Sequence, residues 1–211
     1  MIPNIRNFEK EKLLDWIKYD AGLNHDSWFG VGYKVGGIEL QQVPQEYVEL
    51  LWFLKNQKAE TYLNVGIGKG GSFMTEVFIQ ENLKRAVAVD NASYWGSDQQ
   101  QAIERNLTWL KENTTAEVEF HNCNSVYYLT TCKEKFDIIF IDGDHSYEGV
   151  KKDYDNALPL LNEGGYIVFH DINSHACPGV VKIWNDIKDK NSIEFIDSNT
   201  CGIGVWKNNK N

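Results

Sequence analysis

From residue 60 onward the chain alternates short apolar runs, each bounded by Gly or Asp, with stretches of helical period. The runs span 61–67, 86–90, 117–121, 136–142 and 166–171. Helical periods fill 72–82, 97–113 (Ile103, Leu107 and Leu110 in phase), a short 125–131, and 147–161 (Val150, Tyr154, Leu158). Runs such as Phe136-Asp-Ile-Ile-Phe-Ile141 are nearly continuous rather than alternating, as in strands covered by helices on both faces. Strand–helix repetition of this kind predicts a parallel, doubly wound sheet. The rhythm breaks at the end. After a helix predicted over 178–190 come two strands, 192–197 and 202–207, joined by four residues. That is too short for a crossover helix, so they must pair antiparallel. The expectation is an α/β three-layer sandwich, its seven-stranded, mostly parallel sheet closed by a C-terminal antiparallel hairpin.

The 211 residues fit one domain, with a helical N-terminal lid or cap over 1–58 and the alternating core over 59–211. In the N-terminal part Leu13, Trp16 and Ile17 are helically spaced, and residues 22–39 read as irregular and rich in Gly and aromatics. Pro44 opens a helix whose apolar face carries Tyr47, Leu50, Leu51 and Leu54. The net charge of −9 disfavours a nucleic-acid or anionic-membrane partner and suits a neutral or cationic small molecule. No apolar run is long enough to span a bilayer, and the first ten residues lack a signal peptide's apolar stretch. Cys123, Cys132, Cys177 and Cys201 form no Cys-x-x-Cys pair and read as reduced thiols, so a cytoplasmic location is expected. Self-association is left open.

Two regions carry the chemistry. Gly66-x-Gly68-x-Gly70-Gly71-Ser72 follows a strand and opens a helix, where glycines admit a ligand close to the backbone and the helix start offers free N–H groups. The spacing serves a nucleoside-type cofactor and a dinucleotide equally. Asp90 ends the second strand, 24 residues beyond Gly66, where a carboxylate can accept from both ribose hydroxyls. Asn124 and Ser125 follow the third strand, and Ser125 also suits a helix N-cap. Tyr94 and Trp95 are candidates to stack on a ring. The second region is Phe140-Ile-Asp142-Gly-Asp144-His145-Ser-Tyr147-Glu148-Gly149, matched by His170-Asp171 at the end of the next strand. Adjacent parallel strands end side by side, so Asp142, Asp144, His145, His170 and Asp171 are expected to converge. Asp142, His170 and Asp171 suit a divalent cation, Mg²⁺ or Mn²⁺, with the histidine favouring Mn²⁺. Either histidine suits a general base. His25, His121 and His175 lack such company, and Cys177 with His175 makes no zinc site.

Together these segments resemble a class I S-adenosylmethionine-dependent methyltransferase of Rossmann-like fold. More narrowly, from about residue 37 to the end, the chain resembles the small O-methyltransferases that include macrolide-sugar methyltransferases and cephalosporin hydroxylase-like proteins. The resemblance implies that Asn64, Gly66, Gly68, Gly70, Gly71 and Ser72 contact the amino-acid part of S-adenosylmethionine. It further implies that Asp90 and Asn91 hold the ribose, Asn124 and Ser125 border the adenine, and Asp142 reaches the cofactor too. A cation would sit on Asp142, His170 and Asp171, with His145 or Asp142 as base, and the acceptor would be a small-molecule or sugar hydroxyl. Two positions depart from the family pattern: Asn64 stands where an acid usually begins the cofactor loop, and His170 replaces an acid of some metal-dependent members. The alternatives are an NAD-dependent oxidoreductase, which requires a second parallel half-sheet, and a non-catalytic S-adenosylmethionine-binding protein.

Overall fold

The computed structural model describes residues 3–20, 40–93, 98–198 and 200–209. Five strands run parallel: β1 (Thr61–Val65), β2 (Arg85–Asp90), β3 (Glu117–Asn122), β4 (Phe136–Ile141) and β5 (Leu161–His170). β7 (Ile203–Lys207) joins β5 antiparallel, and β6 (Ile193–Phe195) joins β7 antiparallel, giving the order β3-β2-β1-β4-β5-β7-β6. This is the Rossmann-like sheet with a terminal hairpin that the alternation implied. The chain steps outward from β1 to β3, then returns to place β4 on β1's other side. In such sheets ligands bind outside the strand ends where the order reverses.

Alternate residues of each strand feed two cores. Tyr62, Ala86, Ala88, Ile138, Phe140 and Val168 face α2 (Pro44–Lys55), α3 (Gly71–Ile79) and α4 (Gln99–Asn113). Leu63, Val87, Val89, Ile139, Ile167 and Phe169 face α5 (Ser125–Thr131), α6 (Tyr147–Ala157) and α7 (Pro178–Ile187). The N-terminal residues are part of the first core: Leu13 of α1 (Lys10–Asp15), then Trp16 and Ile17 of a π-helical turn, and Leu40. The irregular stretch expected over 22–39 lies outside the described residues.

Boundaries differ from the sequence expectation where backbone chemistry intervenes. The first strand stops at Val65 rather than 67 because Gly66 turns with φ +86°. The fifth starts at Leu161, five residues before the expected Tyr166. Its pairing with β4 is interrupted between Phe136 and Ile138, so the stretch containing Gly164 (φ +74°) bulges within the strand. The helix expected to reach residue 161 ends at Ala157. Pro159 has no N–H to continue it, and a 3₁₀ turn (Leu158–Leu160) follows.

The terminal hairpin is fastened to the N-terminal region by a carboxylate. Glu46 of α2, 1% exposed, accepts from the N–H groups of Asp197 and Gly202, each at 3.0 Å, and from the Thr200 hydroxyl. Glu46→Ala strands these donors, Gly202 N–H buried and the other two partly so, and is expected to cost about 2–4 kcal/mol. Urea unfolding checks this; a loss under about 0.5 kcal/mol would mean the hairpin holds itself in place.

Candidate active site at the β1–β4 switch point

The glycine loop is fixed from three sides. Gly66, Gly68 and Gly70 all have positive φ, at +86°, +54° and +81°. A Cβ on Gly66 would stand 2.0 Å from the Asp142 carbonyl oxygen, so only glycine lets the ends of β1 and β4 touch. The Asp90 carboxylate reaches across from β2. Its Oδ2 accepts from the Ile67 and Gly68 N–H groups at 2.9 and 3.0 Å, and its Oδ1 from Ala92 N–H at 2.8 Å and the Gln99 amide at 3.2 Å. The residue expected to hold a ribose therefore also holds the loop. With four donors on two oxygens, a ribose diol would have to displace one of them to reach it. Asn91 is exposed at the same edge. Ser72, partly exposed, lies in the first turn of α3 beside buried Gly71. Asn124, not Ser125, caps α5, its side chain accepting from Tyr127 N–H at 3.3 Å. Ser125 instead donates to Asp153 Oδ1 at 2.7 Å. Tyr94 and Trp95 lie outside the described residues.

Four of the five expected ionisable residues converge. Asp142 Oδ1 lies 3.4 Å from His145 Nε2 and 3.5 Å from His170 Nδ1; Asp171 Oδ2 lies 3.5 and 3.3 Å from the same two atoms. Carboxylates and imidazoles thus alternate around a small ring. Asp171 adopts φ +64°, uncommon for a residue with a side chain, as β5 ends. Burial works to lower the His170 pKa, but Asp142 and Asp171 outweigh it and hold it well above the usual value. Burial raises that of Asp171, and the two histidines more than reverse this, leaving it below the carboxylate range. The hydrogen bond to Asp142 raises His145 against the opposing pull of burial. Asp144 does not join them. Its Oδ1 accepts from Ser146 N–H at 2.8 Å, and its side chain occupies the space left by the missing Cβ of Gly149.

Three participants were not foreseen. Cys177 Sγ lies 3.3 Å from His145 Nδ1, so the thiol meets His145 rather than His175. Gly179 makes this possible: a Cβ there would be 2.3 Å from Tyr147 N, so α7 packs directly on the His145–Tyr147 backbone. Cys201 hydrogen-bonds Asp171, and burial pushes its thiol up to about 12. The third is Glu76 of α3, fully buried, whose Oε2 accepts from Tyr62 OH at 2.8 Å and the Asn64 amide at 2.9 Å. Asn64 thus points into this pair. The sequence held a signal for Glu76: α3 is apolar on all sides, so it has no wet face on which to place its one carboxylate.

The donor set fits a divalent cation. Asp142, His170 and Asp171 each offer a ligand atom within 4.8 Å of the others, as do His145, Asp171 and Cys177. Mixed carboxylate and imidazole donors suit Mn²⁺ or another transition metal better than Ca²⁺ or Mg²⁺.

Burial pushes the Glu76 carboxyl up to about 7, against the hydrogen bonds from Tyr62 and Asn64. Its folded pKa lies above the unfolded 4.5, so the folded state binds the extra proton between those values and stability falls as pH rises through that window. Glu76→Gln is therefore expected to stabilise the ligand-free protein at pH 8, on the order of 2 kcal/mol, with the gain vanishing near pH 4. Urea unfolding across that pH range measures the effect; a variant less stable at pH 8 would contradict it.

A protein family described as "Methyltransferase domain" matches residues 63–172, from β1 to just beyond β5. Uncharacterized protein R132 of Acanthamoeba polyphaga mimivirus is 29% identical over 145 residues, 61% of this chain and 61% of the relative. The chain thus spans about three fifths of the curated relative it matches. Among solved structures, an O-methyltransferase from Bacillus cereus in complex with S-adenosylhomocysteine superposes with a TM-score of 0.58 at 17% identity, covering 97% of this chain and 91% of that one. The O-methyltransferase TomG from Streptomyces achromogenes, in complex with S-adenosylmethionine, gives 0.58 at 14% identity over 94% and 97%. The N-methyltransferase NodS from Bradyrhizobium japonicum, with S-adenosylhomocysteine, gives 0.59 at 16% identity over 78% and 86%. These likenesses establish a shared fold across enzymes that methylate different atoms.

Proposed function

The chain belongs to the methyltransferase-domain family, and from that premise we propose that it is an S-adenosylmethionine-dependent O-methyltransferase, assisted by a divalent cation, acting on a hydroxyl of a small molecule or sugar. The observation that carries the reading is the ring of Asp142, His145, His170 and Asp171 beside the glycine loop. An amine can attack a sulfonium methyl through its own lone pair, whereas a hydroxyl must give up a proton, and this ring provides for its removal. The N–H groups of the loop and of Gly71–Ser72 would receive the amino-acid end of the methyl donor, Asp90 and Asn91 the ribose, and Asn124 with Ser125 the adenine.

Exposure divides the two imidazoles between roles. His170 and Asp171 are each 8% exposed, suited to hold a cation with Asp142; His145 is 44% exposed and open to an entering acceptor. A cation bound there would lower the hydroxyl pKa and orient its oxygen. To act as base His145 would first have to lose the Nε2 proton it shares with Asp142; in the neutral tautomer with Nδ1–H toward the Cys177 sulfur, Nε2 would then take the acceptor's proton. Oxygen then attacks the methyl carbon as the carbon–sulfur bond breaks. The products are a methyl ether, S-adenosylhomocysteine and a proton on His145. Most of the rate would come from positioning the two reactants. An NAD-dependent oxidoreductase fits less well, because β7 enters antiparallel where a dinucleotide fold continues with a sixth parallel strand.

Calorimetric titration with S-adenosylhomocysteine, with NAD⁺ as control and with Mn²⁺ or Mg²⁺ present or absent, tests the cofactor. Micromolar S-adenosylhomocysteine binding with none for NAD⁺ is expected; the reverse would end the methyltransferase reading. His145→Ala is expected to lower kcat by about 10²–10⁴ with S-adenosylhomocysteine affinity unchanged. Asp171→Asn is expected to abolish stimulation by added cation in the same methyl-transfer assay. Full activity in both variants would remove the ring from the chemistry.

A further inference from the structure

Two buried acceptors beside the glycine loop have no donor among the described residues: Glu76 Oε1 and Asn64 Oδ1 are shut from solvent and unpartnered there. Their orientation follows from their partners. Glu76 Oε2 takes the Tyr62 hydroxyl and the Asn64 amide, and a carboxylate accepts only, so Asn64 must turn its nitrogen toward Glu76 and its oxygen away. Adjacent acceptors left bare at low dielectric are costly, and an ionised Glu76 is a buried anion besides. What would satisfy both is a cation rich in N–H donors.

Among the described residues, no such cation is available from the side chains around Glu76. Tyr62 on β1 and Tyr47 on α2 are neutral phenols, both held well above their usual pKa by burial. Asp142, beyond the end of β4, carries the same sign of charge. The imidazole of His170, at the end of β5, acts on Glu76 through space but directs its Nδ1 to Asp142 and Asp171. Placement narrows the identity further. Asn64 is two residues before Gly66, whose backbone touches Asp142, and α3 grows directly out of the glycine loop. The pair therefore sits beneath the segment that would hold the methyl donor's amino-acid end.

We propose that Glu76, oriented by Asn64 and Tyr62, is the anionic acceptor for the α-ammonium of the bound cofactor, an inference that rests on the S-adenosylmethionine reading above. The loop N–H groups then take the cofactor's carboxylate, and Glu76 Oε1 with Asn64 Oδ1 takes its ammonium. Each end of the zwitterion meets its opposite.

The test is calorimetric, on the full chain. Wild type and Glu76→Gln are titrated with S-adenosylhomocysteine and with 5′-methylthioadenosine, which keeps the adenosine and thioether but lacks the amino-acid end. Glu76→Gln is expected to weaken S-adenosylhomocysteine about 10- to 100-fold and to leave 5′-methylthioadenosine within about twofold. Equal weakening of both ligands, or of neither, overturns the proposal. A wild type that binds neither removes the cofactor reading itself, and the proposal with it. Should the single variant fail to fold, Asn64→Asp combined with Glu76→Gln keeps one amide and one carboxylate in the pair. S-adenosylhomocysteine affinity within about fivefold of wild type supports a charge requirement at this spot. Equal weakening of both ligands by the double variant overturns it.

Discussion

The contact between the Gly66 backbone and the carbonyl of Asp142 is the constraint on which the rest of the site depends. Gly66 N–H donates to Val89 on one side, and Asp142 N–H donates to Val65 on the other, each at 2.8 Å. Strands β2, β1 and β4 are thereby hydrogen-bonded up to the residues where the chain leaves the sheet. A side chain at position 66 would have to separate β1 from β4 or rebuild the loop. Because the strands close so tightly, the glycine loop and the acidic end of β4 share one edge. The groups proposed to bind the cofactor and to handle the proton are neighbours for a backbone reason, before any side-chain interaction is considered.

That edge was legible in the sequence because strand periodicity and glycine placement are local signals. The convergence of Asp142 with His170 and Asp171 needed only the inference that β4 and β5 are adjacent. The residues that escaped notice arrive from the helices. Cys177 reaches His145 through a packing contact at Gly179, and nothing in a one-dimensional pattern ties residue 177 to residue 145. Glu76 was passed over because a single acid in a helix is ordinarily solvated; only the absence of any polar face on α3 argued otherwise. Asp144, in turn, looked like a member of the cluster. Its own turn claimed it, as a short acid two residues before an N–H commonly bonds back to the chain. Asp90 shows the same competition, since a residue suited to a ribose also satisfies the loop that would cradle it.

Placing two carboxylates and two imidazoles within 3.3–3.5 Å of one another is affordable only because opposite charges alternate. Removing one member would leave a buried charge without its partner, which is commonly worse than never having built the pair. The strained φ of Asp171 belongs to the same arrangement: the turn that ends β5 must bring its carboxylate back against the His170 ring beside it in sequence. Functional sites are where such local strain persists, because surrounding structure over-determines it. Here the β5–β7 pairing runs to His170↔Ile203, and the N–H groups of Ile172 and Asn173 donate to the carbonyls of Gly202 and Cys201. The hairpin therefore buttresses the turn directly, and Glu46 buttresses the hairpin.

Acidic charge at this edge is divided into two poles with different counter-ions. Asp142 and Asp171 face His145 and His170 from within the protein, and a cation held there would compete with a proton for the His170 ring. Among the described residues Glu76 has only neutral donors, Tyr62 and Asn64, and desolvation keeps its proton near neutrality until an external cation makes ionisation favourable. The two poles feel each other through space, Asp142 raising and His170 lowering the Glu76 pKa. Positive charge gained at the ring therefore favours ionisation of Glu76, and an anionic Glu76 favours positive charge at the ring. A charge bound at one pole would therefore be felt electrostatically at the other.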